Sequence, residues 1–281
     1  MTKENIQTKG AKLSVYLQGP DWDGAPAATI GDFSCETPEA GLELLQTAIG
    51  RVRYAGVDRI IGPMSGDTWH SYRFVSDSDG SAPFLMEPTH KSHEPDVFRA
   101  AGFAAISKYF SARVSLAQTA NSSLAAVDGF DVEPWDGTNP EELFRQVYQL
   151  SVEAFSRNAF YKPISERDFL AMYMPVVPML KRELIFFARR PDSSLAGFLF
   201  GIPNYAEGPK PTAAILKTYA SLERGAGRHL ASHFHKSALK LGFVSAIHAL
   251  IHDDNQSADR SVVEGATVFR RYNLLGLRLD D

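Results

Sequence analysis

The chain has 281 residues, 44% of them hydrophobic and 22% charged, with a formal net charge of −4. That apolar content supports a packed core and excludes wholesale disorder. The small negative charge argues against a non-specific grip on nucleic acid or an anionic membrane. A chain this long makes one large domain or two of about 100–150 residues each. The opening MTKENIQTKGAK is polar and lacks a signal peptide's apolar core, so a cytoplasmic location is expected. No apolar run is long enough for a membrane span. Cys35 is the single cysteine, which rules out an intrachain disulfide, and reads as a small buried hydrophobe.

In chain order, Leu13–Gln18 and Ala28–Phe33 read as short strands separated by Gly, Pro and Asp. Thr37-Pro38 reads as a helix start, N-cap followed by proline at the first helical position. Leu42, Leu45, Ile49 and Val52 then share one helical face, and Gly56 is placed to end the helix. Val57–Ile61 is a strand, and Gly62–Pro95 an irregular section carrying Trp69, His70, Tyr72 and Arg73. A helix at Asp96–Ala101 leads to a strand at Ala104–Val114. The segment 117–126, with its Asn-Ser-Ser, reads as a linker.

The pattern then restarts. Phe130–Glu133 is a strand, and Glu141–Phe155 and Ser165–Tyr173 are helices. Leu184–Ala188 and Ala196–Ile202 form a hairpin around a Pro-Asp-Ser-Ser turn. Next comes a buried strand, Ile215–Ala220, then a turn with two glycines, Arg224-Gly225-Ala226-Gly227-Arg228. A helix over His229–Leu241 follows, with Leu230, Phe234, Ala238 and Leu241 at helical spacing. Strand, glycine turn and helix start together suit a phosphate: glycine lets the backbone approach, and first-turn N–H groups point outward. The chain closes with a strand at Val244–Ile251, a loop at Asn255–Gly265, a helix at Thr267–Tyr272 broken by Gly276, and a short last strand. The order helix, glycine, strand at 38–61 recurs at 229–251, an internal repeat of two α/β units.

These features resemble the GNAT acyltransferase superfamily twice over. Its members hold acetyl-coenzyme A at a loop reading Arg/Gln-x-x-Gly-x-Gly/Ala, which Arg224–His229 follows until His229 takes the last position. Asn255 stands just past the next strand, where the family has an Asn. Tyr272 before Gly276-Leu277 is similar to the family's Tyr before Gly-Phe. The first copy has Cys35-Glu36-Thr37-Pro38-Glu39 where the phosphate loop belongs, and Phe98 where the Tyr belongs, so it reads as degenerate. The resemblance implies two α/β (α+β) units, each a mixed, mostly antiparallel sheet flanked by helices: a truncated degenerate unit at 1–118, a linker at 119–126, and an acyltransferase-like unit at 127–281.

It implies further that acetyl-CoA or another acyl-CoA lies along the strand at Leu216, Lys217 and Thr218. The diphosphate would rest on Arg224, Gly225, Ala226, Gly227, Arg228 and His229. Tyr272 would protonate the leaving thiolate, Asn255 would hold the donor's arm, and His252, Asp254 or Glu264 would serve as base for an amine acceptor. At His229 the imidazole either crowds the cofactor or bonds a phosphate oxygen. Front-end aromatics (Phe160, Tyr161, Tyr173, Tyr205) or Trp69, His70, Tyr72 and Arg73 would line the acceptor pocket. The pairs His229/His233 and His248/His252 lack a third ligand, so no metal is expected. A non-catalytic binding protein with the same groove is the alternative. A P-loop NTPase is disfavoured, since no Lys-Ser/Thr follows the glycines. The expected partners are an amine acceptor and, for assembly, a second copy.

Overall fold

A computed structural model describes residues 3–120, 129–254 and 265–279. The first half contains β1 (Lys3–Thr8), β2 (Ala11–Tyr16), β3 (Asp21–Trp22), β4 (Ala25–Pro26), β5 (Ala28–Cys35), α1 (Pro38–Tyr54), β6 (Arg59–Gly62), β7 (Phe74–Ser78), α2 (Glu94–Ala100), β8 (Ala104–Ser115) and α3 (Leu116–Thr119). The second contains β9 (Asp131–Pro134), α4 (Pro140–Phe155), α5 (Glu166–Tyr173), β10 (Ile185–Arg189), β11 (Leu195–Pro203), β12 (Ala213–Ser221), α6 (Ala226–Lys240), β13 (Ser245–His252) and β14 (Thr267–Arg278).

Local chemistry explains the element ends. Thr37 caps α1, its Oγ1 accepting the Ala40 amide at 3.3 Å, and Pro38 opens the helix. Gly56, at φ +74°, turns the chain out of it. The face α1 buries is Gly41, Leu44, Leu45, Ala48 and Val52, with Leu42 and Ile49 at its margin. α6 buries Leu230, Phe234 and Ala238 against β11 and β12, whereas Leu241 stays exposed.

The main sheet runs β1-β2-β5-β6-β14-β8-β13-β12-β11-β10-β9, with β7 also on β14. Most pairs are antiparallel; β5 with β6 and β12 with β13 are parallel. The expected boundary near residue 118 does not divide this sheet. β8, the last strand of the first half, pairs with β13 of the second, and β14, the last strand of the second half, pairs with β6 of the first. The two halves exchange their final strands, and those strands pair with each other at the centre. The linker expected at 119–126 begins in α3, and its remainder from 121 lies outside the described residues.

The helix expected at Thr267–Tyr272 is instead the start of β14, one strand of twelve residues. From Arg270 the chain is paired on both edges, and the β-branched and aromatic residues at Thr267–Phe269 favour a strand, with Phe269 buried. Gly276 belongs within the strand. A Cβ at that position would meet Trp22 and Ile106 side chains at 2.7 and 2.9 Å. β1 and β7 also arise in stretches that carry no apolar alternation in the sequence.

Candidate functional site

β12 and β13 run together for four pairs, from Ala213 opposite Ser245 to Leu216 opposite His248, and then part. Both strands are irregular where they separate. Lys217 has no partner on β11, whose register shifts between Phe200 and Gly201. On β13 the register against β8 shifts between His248 and Ile251, and Leu250 adopts φ +58°. A leucine in the left-handed region is strained and must be held there. It is: its amide donates to Ser111 Oγ at 3.0 Å, and its carbonyl accepts from Arg73 Nη1 at 3.3 Å.

The parted strands open a cleft of about 630 Å³. One wall is Leu216–Tyr219 of β12, the other Ala249–His252 of β13. Gly227, Arg228 and Ala231 of α6 close one end. Tyr72, Tyr109 and Thr68 of the first half, with Phe155 at the end of α4 and Arg157, Asn158 and Ala159 after it, close the rest.

Gly225, at φ +92°, turns the chain into α6. The Ala226 amide is taken by Glu223 O at 3.2 Å, and those of Arg228 and His229 by Gly225 O at 3.0 and 3.2 Å. Among the described residues the Gly227 amide has no backbone acceptor, and Gly227 faces the cleft. His229 does not crowd it. The imidazole lies edge-on to Phe130, ring centroids 5.7 Å apart, and is not a cleft residue. Arg224 is also outside the cleft and exposed; Arg228 lines it.

His252 lines the cleft, but both ring nitrogens are engaged. Nδ1 accepts the Asp254 amide at 3.1 Å, so Nε2 carries the proton and donates to Ser107 Oγ at 2.9 Å. No lone pair is left for an incoming amine. Tyr272 is not in the cleft at all. It is 0% exposed, and its hydroxyl donates to Glu87 while accepting from Ser111 Oγ at 3.0 Å. Glu87 also takes Arg270 Nη1 at 2.6 Å and the Phe84 amide at 3.1 Å. Burial, then the bond to Glu87, pushes the Tyr272 phenol well above its usual range. As placed, Tyr272 anchors residues 81–87 over β14 and, through Ser111, steadies Leu250; the geometry gives it no route to a leaving thiolate. Asn255 and Glu264 lie outside the described residues.

The acceptor-pocket expectations divide. Tyr72 lines the cleft and Arg73 sits beneath it. Trp69 packs against Phe169 and donates to Lys162 O, and His70 Nδ1 bonds buried Asp67 at 2.7 Å. Phe160 packs near Tyr109 and Met64, Tyr161 lies against Trp69, Tyr173 stacks on Phe144, and Tyr205 lines a separate groove with Trp135. Their neighbours Phe155, Arg157 and Asn158 reach the cleft instead. His233 lies against Phe186, and His248 pairs with His235, Nε2 to Nε2, at 3.0 Å. Burial holds that pair neutral.

Besides Arg157 and Arg228, the cleft has Lys217 on its β12 wall and Arg73 beneath it. Burial, and then the positive charge of Arg73, lower the Lys217 ammonium to about 8. Burial raises Tyr109 to about 12. Sequence reasoning named Lys217 only for its backbone and missed Tyr109. The available signal was a lysine inside the otherwise apolar run of a buried strand.

The corresponding gap in the first half is filled. The Met64 amide donates to Ile30 O at 2.7 Å, and a Cβ on Gly31 would meet the Met64–Ser65 backbone at 2.5–2.6 Å.

No family model matches the sequence, and no curated protein matches it. Solved structures do. A GCN5-related N-acetyltransferase from Sphaerobacter thermophilus superposes with TM-score 0.58 at 13% identity, over 97% of this chain and 78% of that one. The fold is that of the GCN5-related N-acetyltransferases. A tandem GNAT protein from the clavulanic acid biosynthesis pathway matches with TM-score 0.54 at 15% identity, over 97% of this chain and 80% of that one. A probable N-acyltransferase from Enterococcus faecalis matches with TM-score 0.58 at 11% identity, over 96% of this chain and 60% of that one. At these identities the likeness is one of fold.

Proposed function

We propose that the protein is an acyl-CoA-dependent N-acyltransferase, with acetyl-CoA the simplest donor and the cleft of the second half as its site. The observation that carries this reading is the parting of β12 from β13 after Leu216 and His248, with α6 starting at its mouth. Beyond Leu216, β12 offers its backbone to the cleft rather than to β13, an edge on which a pantetheine amide can pair. The unpartnered Gly227 amide, the positive end of α6 and Arg228 suit a diphosphate. Acyl-CoA supplies a thioester carbon for attack by an amine; the C–N bond forms, the C–S bond breaks, and the proton the nitrogen loses passes through water to the departing thiolate, which leaves as free CoA. The amine must arrive unprotonated. Arg73 and Lys217 favour that form without a dedicated base, because neighbouring positive charge disfavours an ammonium.

Calorimetry with acetyl-CoA tests the assignment: binding at micromolar to millimolar donor is expected, and no heat at millimolar donor refutes it. The engaged state of Tyr272 and His252 favours a second reading, a protein that binds acyl-CoA without turning it over. Binding with no release of free CoA across an amine panel would select that reading.

A further inference from the structure

We propose that the cleft holds a carboxylate between Arg73 and Lys217, carried either by the acyl group of the donor or by the accepting amine. This rests on the acyltransferase reading for its choice of ligands, but not for its geometry. Arg73 is 5% exposed. Its guanidinium carbon lies 3.7 Å from the Tyr72 ring centre and 4.0 Å from that of Tyr109, and both rings line the cleft. Among the described residues Nη1 reaches only the Leu250 carbonyl, at 3.3 Å, and Nε has no acceptor. Lys217 lines from β12 the same cleft that Tyr72 and Tyr109 line from the first half, and the charge of Arg73 adds to the burial that lowers its ammonium.

Among the described residues neither cation has a carboxylate within ion-pairing distance. Arg270 shows what the same protein does elsewhere. At 4% exposure, and with its Nε also lacking an acceptor, it is nevertheless paired with Glu87 at 2.6 Å. Two desolvated like charges destabilise each other, and an anion between them offsets both terms. A carboxylate's two oxygens match one guanidinium edge and one ammonium. The stacking on Tyr72 and Tyr109 fixes the guanidinium plane beforehand, so little freedom is lost on binding.

The test titrates the full chain, and its Lys217→Met variant, in two matched arms. One compares succinyl-CoA with acetyl-CoA. The other compares amino acids with their decarboxylated amines, in the presence and absence of acetyl-CoA. A carboxylate preference of at least ~10-fold in one arm, lost in Lys217→Met, is expected from a charge-assisted contact. The arm that shows it names the carrier. Arg73→Lys, checked by melting temperature, is the second variant; it keeps the charge but loses the fork, so it should weaken the preference without abolishing it. If acetyl-CoA binds and neither arm discriminates, the carboxylate site is overturned while the acyltransferase reading stands. If no acyl-CoA binds but amino acids do, in a Lys217-dependent way, the carboxylate site stands and that reading falls. Binding in neither arm overturns both.

Discussion

Replacing Tyr272 by Phe separates a structural hydroxyl from a chemical one. The substitution preserves the ring, which is fully buried between β7 and β8, so no large cavity forms. It removes one hydrogen bond to the Glu87 carboxylate and leaves Ser111 without its acceptor. Glu87 keeps Arg270 and the Phe84 amide, so the carboxylate is not stranded. A bond to a charged group contributes about 1.5–3 kcal/mol, so a loss near 2 kcal/mol is expected. For a chain of this size that lowers the melting temperature by ~4–6 °C. A general acid contributes ~100- to 10,000-fold to rate. With the hydroxyl walled off from the cleft, kcat should instead change by less than ~3-fold, a scale that loosening of Leu250 can produce. The assay is thermal denaturation beside steady-state release of CoA, each across pH. An unchanged melting temperature together with a kcat loss beyond ~100-fold would show that Tyr272 reaches the reacting atoms, and the structural account would be wrong.

The remaining predictions concern pH, packing and the strand exchange. His235 and His248 have folded pKa values depressed by burial below the unfolded 6.5, so below pH 6.5 only the unfolded chain gains their protons. Stability should therefore fall as pH drops below 6.5, by on the order of 1 kcal/mol per pH unit per histidine. His235→Leu should flatten that slope in denaturant melts, and an unaltered slope refutes the assignment. His70, raised by its bond to Asp67, acts in the opposite sense: it favours the fold below pH 6.5, and that contribution fades as pH rises through its folded value. Gly201→Ala would place a Cβ 2.2 Å from the Phe234 ring and 2.8 Å from the Leu184 carbonyl, pushing α6 off β11. A destabilisation of about 1–3 kcal/mol is expected by chemical denaturation, and a neutral outcome would contradict this packing. Because β8 and β14 each complete the other half's sheet, residues 1–120 and 129–281 made separately should fail to melt cooperatively, and co-expression should restore a 1:1 complex. A stable monomer of either fragment would refute the exchange.

What the sequence made legible was local. Thr37-Pro38 announced α1, Pro191–Ser194 announced the β10–β11 hairpin, and the glycine turn announced α6, because each signal sits within a few residues of what it controls; the helix itself starts at Ala226, three residues before the expected His229. β14 was not legible. Arg270 and Arg271 look like a solvated helix end until Glu87, 183 residues from Arg270, supplies the counter-charge that lets Arg270 be buried. Tyr272 matched the spacing of a catalytic tyrosine, yet spacing does not show that the residue lies in a strand paired on both edges. His229 could be read as an obstruction or as a phosphate partner because sequence does not reveal direction, and its ring turns to Phe130. Lys217 and Arg73 were each visible as charged residues. That both belong to one cleft was not, because it depends on where the first half lays residues 62–73 against the second.

The exchange of strands also changes what a degenerate half is for. The first half offers no phosphate loop of its own: α1 starts at a capped proline, and Met64 and Ser65 fill the gap beside β5. Yet that filling segment runs on to Tyr72 and Arg73, and β8 carries Tyr109 into the seam beside β13. The first half thus spends its own cleft to build one wall of the other. The groups suited to an acyl donor, the β12 edge, Gly227 and Arg228, come from the second half alone. Of the proposed carboxylate site, Arg73 with Tyr72 and Tyr109 comes from the first half and Lys217 from the second. On the acyltransferase reading proposed above, substitution at 68–73 and 107–109 would alter the Arg73 side of the cleft without touching Gly227 or Arg228. Swapping those two segments for the equivalents of a GNAT-fold protein of different acceptor preference should therefore move the carboxylate discrimination while leaving acetyl-CoA affinity in place, read by the same two titrations. A parallel loss of donor affinity would show that the walls are not separable.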